Sequence, residues 1–131
     1  MEIFGIGTDI VNIKRMERSL KKYGIKFKNK FFSKREIFYC EKNKNSSTFY
    51  AKRFAAKEAF SKALGTGIRK GVNLKNIEIS NNIHGKPSIL LKGKVANYLK
   101  KKVKSKKYHI YLSKTDDKPW AQATVIISYN K

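Results

Sequence analysis

The residues best placed to do chemistry lie in Arg53-Phe54-Ala55-Ala56-Lys57-Glu58-Ala59-Phe60-Ser61-Lys62-Ala63-Leu64-Gly65-Thr66-Gly67. At about 100° per residue, a helix here sorts its side chains onto two faces. Ala56, Ala59, Phe60, Ala63 and Leu64 form an apolar stripe, while Glu58 and Lys62, four residues apart, stand together on the opposite face, open to a ligand. Taken alone, such a pair is ordinarily a solvated salt bridge. The Gly65-Thr66-Gly67 turn suits a helix end and lets backbone approach a ligand closely.

Two further blocks add chemistry-bearing residues. Near the N-terminus, Ile6-Gly7-Thr8-Asp9-Ile10-Val11-Asn12 is an apolar, strand-like run interrupted by one carboxylate, with Arg15 just beyond it. Near the C-terminus, His109-Ile110-Tyr111-Leu112-Ser113 precedes Trp120-Ala121-Gln122-Ala123-Thr124-Val125-Ile126-Ile127. With the helix motif, these blocks resemble the holo-acyl-carrier-protein synthases, the small single-domain type of 4′-phosphopantetheinyl transferase. The matches are Gly7 and Asp9, Arg15, Arg53 through Gly67, Gly85-Lys86-Pro87, and His109 with Ser113. They run from Ile3 to Ile127; the helix motif is highly specific and the other blocks are individually weak. Two positions depart from the family's late His-x-Ser-x-Ser/Thr-His strand: Tyr111 replaces the first small hydroxyl and Lys114 the second histidine.

The resemblance implies transfer of 4′-phosphopantetheine from coenzyme A to a serine of an apo acyl carrier protein, for fatty acid biosynthesis. Such transfers depend on positioning and on neutralising pyrophosphate charge, and Mg²⁺ held by one or two carboxylates suits that task. By resemblance the metal falls to Asp9 and Glu58, and the catalytic set is Glu58, Lys62 and His109. Coenzyme A contacts fall to Lys62, Gly65, Thr66, Gly67, Pro87, His109, Ser113 and Lys114. Glu58 is favoured as general base, acting directly or through a metal-bound water. A basic patch of Arg15, Arg18 and Lys22, at i, i+3 and i+7, would receive the acidic carrier, with Arg15 the matching family residue. The resemblance further implies a homotrimer whose active sites lie between neighbouring subunits.

These residues must be positioned by one α+β domain spanning residues 1–131, with an antiparallel sheet against the long helix, as in the 4′-phosphopantetheinyl transferases. Ile3 to Ile6 reads as a strand ending near Asp9. Asn12 caps a helix from Ile13 to Tyr23 with Ile13, Met16, Leu20 and Tyr23 as its buried stripe. Ser33 and Glu36 have capping-box spacing for a helix through Glu41, and the long helix runs from Thr48 to Leu64. Ile77 to Ser80 and Pro87 to Leu91 form a hairpin, with His84 a surface turn residue. A lysine-rich helix from Gly93 to Lys104 follows, carrying Val95, Leu99 and Val103. A last hairpin joins Tyr108–Ser113 to Trp120–Tyr129 around the loop at 114–119.

Composition sets bounds. A chain of 131 residues with 40% hydrophobic content supports one modest core, and self-association would bury more. The single Cys40 excludes an intramolecular disulfide and suits a reducing compartment. No apolar run reaches the roughly 18 residues that cross a bilayer, and Met1-Glu2-Ile3 has no basic leader region, so a cytoplasmic protein is expected. The net charge of +22 steers polyanions. That charge supports a rival reading as a nucleic-acid-binding module centred on Lys100-Lys101-Lys102 with Tyr98, Tyr108 and Tyr111. Against it, lysine and Asn/Ile abundance fits drift of composition, and no zinc-ligand, RNA-recognition or helix-turn-helix pattern is present. An inactive paralogue, prompted by Tyr111 and Lys114, is a further alternative.

Overall fold

The computed structural model describes residues 1–65 and 72–131. Its elements are β1 (Glu2–Asn12), α1 (Ile13–Phe31), α2 (Lys34–Glu41), α3 (Ser46–Leu64), a short 3₁₀ turn (Leu74–Asn76), β2 (Ile77–Asn81), β3 (Pro87–Leu91), α4 (Gly93–Lys102), β4 (Tyr108–Asp117) and β5 (Trp120–Tyr129). Strands β1, β5 and β4 form one antiparallel sheet in that spatial order, and β2 pairs with β3 in a separate hairpin. The α+β class read from the sequence is the class observed.

Alternation along the sheet separates two faces. Ala123, Val125 and Ile127 of β5 are buried in a core shared with Ala55, Ala56, Ala59, Phe60, Ala63 and Leu64 of α3, and Ala121 is buried in a second core with Ile13, Met16, Phe32, Tyr50 and Ala51. The reason β1 lies so close to this helix is sequence-local. A Cβ on Gly7 would fall on the Ala59 carbonyl oxygen, and one on Gly5 on the Ala63 carbonyl oxygen. Glycines on the strand and alanines on the helix thus let two backbones touch, and Asp9, two residues after Gly7, lies on the same strand face. The opposite sheet face aligns Ile6, Ile126 and Tyr111 in one row and Thr8, Thr124 and Ser113 in the next. Ile6, Ile10 and Tyr111 there are exposed.

Helix α3 is buried nearly all round: Arg53 stacks its guanidinium over the Tyr39 ring, with Nε and Nη1 lacking hydrogen-bond partners, while Lys57 is accommodated by pairing. Lys57, wholly buried, donates to Glu36 Oε1 at 2.7 Å, to the Leu74 carbonyl at 2.8 Å and to the Ile77 carbonyl at 2.6 Å. Glu36 in turn accepts from Ser33 N at 2.9 Å, which closes the expected capping box, and from Ile79 N at 3.1 Å. One buried ion pair therefore fastens α2 and the segment entering β2 to the helix that carries Glu58.

Helix α1 differs from expectation. Asn12 caps it as read, its side chain accepting from Arg15 N at 3.1 Å. The helix does not stop at Tyr23: Gly24 takes φ 58°, ψ −136°, and a second helical piece continues to Phe31. Only glycine adopts that turn readily. Phe27, Phe31 and Phe54 then stack edge to face, with centroids 4.9 Å and 5.5 Å apart, tying the second piece to α3. Tyr23, expected in the buried stripe, is 55% exposed, at the end of the first helical piece just before Gly24. Strand β4 also outruns its expected end at Ser113, pairing with β5 through Asp117.

Candidate active site

Asp9, Glu58 and Lys62 meet where β1 crosses the second half of α3. The Lys62 ammonium lies 3.0 Å from Asp9 Oδ1 and 3.0 Å from the Thr8 carbonyl oxygen. Glu58 is half-buried one turn earlier on the helix, and its carboxyl is pushed above the usual carboxylate range by burial and then by the nearby Asp9, with Lys62 opposing. Both carboxylates border a cleft of about 380 Å³, walled by Arg15 and floored by Met16, Phe27 and Phe54. Arg15 therefore stands beside the carboxylates, whereas Arg18 and Lys22 continue along the exposed side of α1.

Asp9 and Glu58 offer two hard carboxylate groups at one place, and no cluster of three or more His, Cys, Asp or Glu ligands exists among the described residues. That suits Mg²⁺, which takes one or two protein carboxylates and fills its octahedron with water and phosphate oxygens, and does not suit an all-protein cage. The residues present fit the ion.

The remaining expected contacts lie elsewhere in the chain. Gly65 ends α3 in the left-handed conformation, φ 91°, its N–H returning to the Ser61 and Lys62 carbonyls. Thr66 and Gly67 fall outside the described residues. Pro87 and His109 line a second cleft, of about 590 Å³, together with Lys86 and Tyr111. The His109 and Tyr111 rings stack there with centroids 6.3 Å apart. Register fixes how far this is from the carboxylates: His109 pairs with Ser128, level with Ile3, whereas Asp9 is level with Ala123 and Lys114. Five residues of β5, Ala123 to Ser128, at about 3.3 Å each, separate the two levels by roughly 17 Å along the strands. Ser113 is exposed on the sheet face away from α3. Lys114, its neighbour, turns toward α3, where burial, Arg53 and Lys52 pull its pKa down to about 8. One chain thus unites Asp9, Glu58, Lys62 and Arg15, and keeps His109 and Pro87 apart from them.

Sequence reading missed the aromatic floor and the buried Lys57–Glu36 pair. Lys57 carried a signal: it precedes Phe60 by three and Leu64 by seven, which puts it at the edge of the apolar stripe. Phe27 carried none, because Gly24 marked an ending.

A single α+β domain with paired carboxylates and a lysine where β1 meets α3 offers groups able to hold a cation and a phosphate side by side. The chain belongs to the 4′-phosphopantetheinyl transferase superfamily, whose family model matches residues 5–124. It is 48% identical over 128 residues to the holo-[acyl-carrier-protein] synthase of Wolbachia pipientis subsp. Culex pipiens, covering 95% of this chain and 97% of the relative. The holo-[acyl-carrier-protein] synthase of Neisseria meningitidis superposes with a TM-score of 0.87 at 36% identity, covering 96% of this chain and 98% of that one. The Helicobacter pylori synthase, solved in complex with coenzyme A, gives a TM-score of 0.80 at 36% identity, over 94% and 99% of the two chains.

Proposed function

We propose that this protein is a holo-acyl-carrier-protein synthase, moving the 4′-phosphopantetheine of coenzyme A onto a serine of an acidic apo acyl carrier protein. The observation that carries the reading is the Asp9–Glu58–Lys62 cluster beside a cleft with an arginine wall and an apolar floor. The serine hydroxyl attacks the phosphorus that bears the pantetheine. A new phosphorus–oxygen bond forms, the bond to the bridging oxygen breaks, and adenosine 3′,5′-bisphosphate leaves. Glu58, which borders the cleft beside Asp9, takes the serine proton. Lys62 neutralises charge on the phosphates. When bound at Asp9 and Glu58, Mg²⁺ supplies further charge neutralisation on the pyrophosphate. Arg15 and the exposed Arg18 and Lys22 receive the carrier's acidic helix, and the apolar floor takes an aliphatic side chain next to the serine.

The working unit of this reading is a homotrimer in the cytoplasm, serving fatty acid biosynthesis. In a chain of net charge +22, the sheet face built from Ile6, Thr8, Ile10, Gln122, Thr124, Ile126 and Ser113 carries no charge, which favours burial against further copies. A histidine that must stand beside the same pyrophosphate as Asp9 also has to come from another copy, given their separation within one chain. No helix among the described residues is long and apolar enough to cross a membrane.

The test is intact-mass spectrometry of apo acyl carrier protein incubated with the protein, coenzyme A and Mg²⁺. A gain of one phosphopantetheine, absent with Asp9→Ala/Glu58→Ala, is the expected result. An unmodified carrier across several acidic carrier proteins would sink the assignment. Mixing Glu58→Gln with His109→Ala chains should restore activity if the site is shared between copies, and a mixture as inactive as its parts would refute the sharing.

A further inference from the structure

We propose that Lys62 is an exchangeable counter-ion, its ammonium passing from the Asp9 carboxylate to the coenzyme A phosphates, so that divalent-cation and coenzyme A binding are coupled through this one side chain. The inference rests on the metal and coenzyme A assignments above and adds how the two are linked.

The geometry places Lys62 in competition with a cation. Its ammonium lies 3.0 Å from Asp9 Oδ1. A divalent ion such as Mg²⁺ needs a carboxylate oxygen at about 2.0–2.1 Å, and an ammonium already seated against that carboxylate opposes its arrival. Two cations a few ångströms apart repel strongly wherever water is partly excluded. One of the groups has to move, and the structure distinguishes which. The Asp9 side chain is 19% exposed, on a strand locked against α3 through Gly7, whereas the Lys62 side chain is 54% exposed on a flexible four-carbon stem. The second contact of Lys62, to the Thr8 carbonyl at 3.0 Å, is to a neutral acceptor that water can serve equally. Lys62 therefore gives way.

A departing ammonium needs a new partner, and the pyrophosphate is the anion that the transfer brings against the carboxylates themselves. Coenzyme A draws Lys62 off Asp9 and so clears the carboxylate for the cation; the cation, by displacing Lys62, presents the ammonium to the phosphates. Linkage makes the effect equal in both directions. The cost of the arrangement is weak cation binding before coenzyme A arrives, and its effect is an ordered site in which neither ligand is held tightly alone.

Mn²⁺ binding, followed by the loss of the free-ion paramagnetic resonance signal, tests this on the full-length protein with and without coenzyme A. Lys62→Met, at an exposed position, should bind Mn²⁺ about tenfold tighter than wild type when coenzyme A is absent, a typical coupling magnitude. Coenzyme A should tighten Mn²⁺ binding less in that variant than in wild type. Lys62→Arg keeps the charge and should retain the weak binding. An unchanged or weakened Mn²⁺ affinity in Lys62→Met would overturn the proposal while leaving the metal assignment intact. Failure of wild type to bind Mn²⁺ even with coenzyme A would instead remove the metal from Asp9 and Glu58, and the proposal with it.

Discussion

Gly7→Ala is a one-carbon change on the strand that carries Asp9, and the structure sets its consequence. The added Cβ would land on the Ala59 carbonyl oxygen, well inside the 3.0 Å below which real Cβ contacts essentially do not occur. Because the obstruction is backbone, no side-chain adjustment at position 59 relieves it. Strand β1 must retreat from α3 by roughly 1 Å, an overpacking response that costs about 1–3 kcal/mol of stability. The same retreat separates Asp9, two residues on, from Glu58 and Lys62. A misplacement of about 1 Å costs on the order of 10²-fold in rate when catalysis depends on positioning. Urea denaturation reads the first effect and timed mass spectrometry of carrier modification reads the second. The expected result is a folded protein with reduced stability and a rate down by about two orders of magnitude. A variant with wild-type transfer rate would refute the claim that backbone contact between β1 and α3 sets the geometry of the site.

Two further outcomes follow from buried charges. Lys57→Met removes one partner of a wholly buried ion pair and leaves Glu36, 1% exposed, with only its two backbone donors. A loss of about 3–5 kcal/mol is expected by chemical denaturation, and a loss below about 1 kcal/mol would show that the pair does not fasten α2 and β2 to α3. Lys114 has its pKa lowered from 10.5 to about 8, so between those values the unfolded chain holds a proton that the folded chain has released. Stability of wild type should therefore rise with pH across that window relative to Lys114→Met. Parallel pH profiles for the two proteins would refute the depressed pKa.

How much of this was legible beforehand depended on how local the physics was. The capping box at Ser33 and Glu36, the cap at Asn12 and the β2–β3 hairpin rest on hydrogen bonds or alternation within a few residues and formed as read, while the C-terminal hairpin formed with β4 four residues longer than read. The continuation of α1 past Gly24 was not legible, because a glycine at φ 58° reads as an ending, and only packing of Phe27 and Phe31 toward Phe54 continues the helix. The role of Lys57 was hidden for a related reason: its partners Glu36, Leu74 and Ile77 lie 17 to 21 residues away.

The sequence by itself determined the residue types the chemistry needs and the local elements that bear them: a carboxylate after a Gly-x-Asp strand, a Glu/Lys pair one helical turn apart, and a family motif specific enough to name the class. Tertiary structure alone decided which of these meet. Asp9 joins Glu58 and Lys62 because glycines let β1 touch α3, whereas His109 lies roughly 17 Å along the same sheet because strand pairing spaces residues by about 3.3 Å each. Spacing within an element is written in the chain, but distance between elements is set by packing and register.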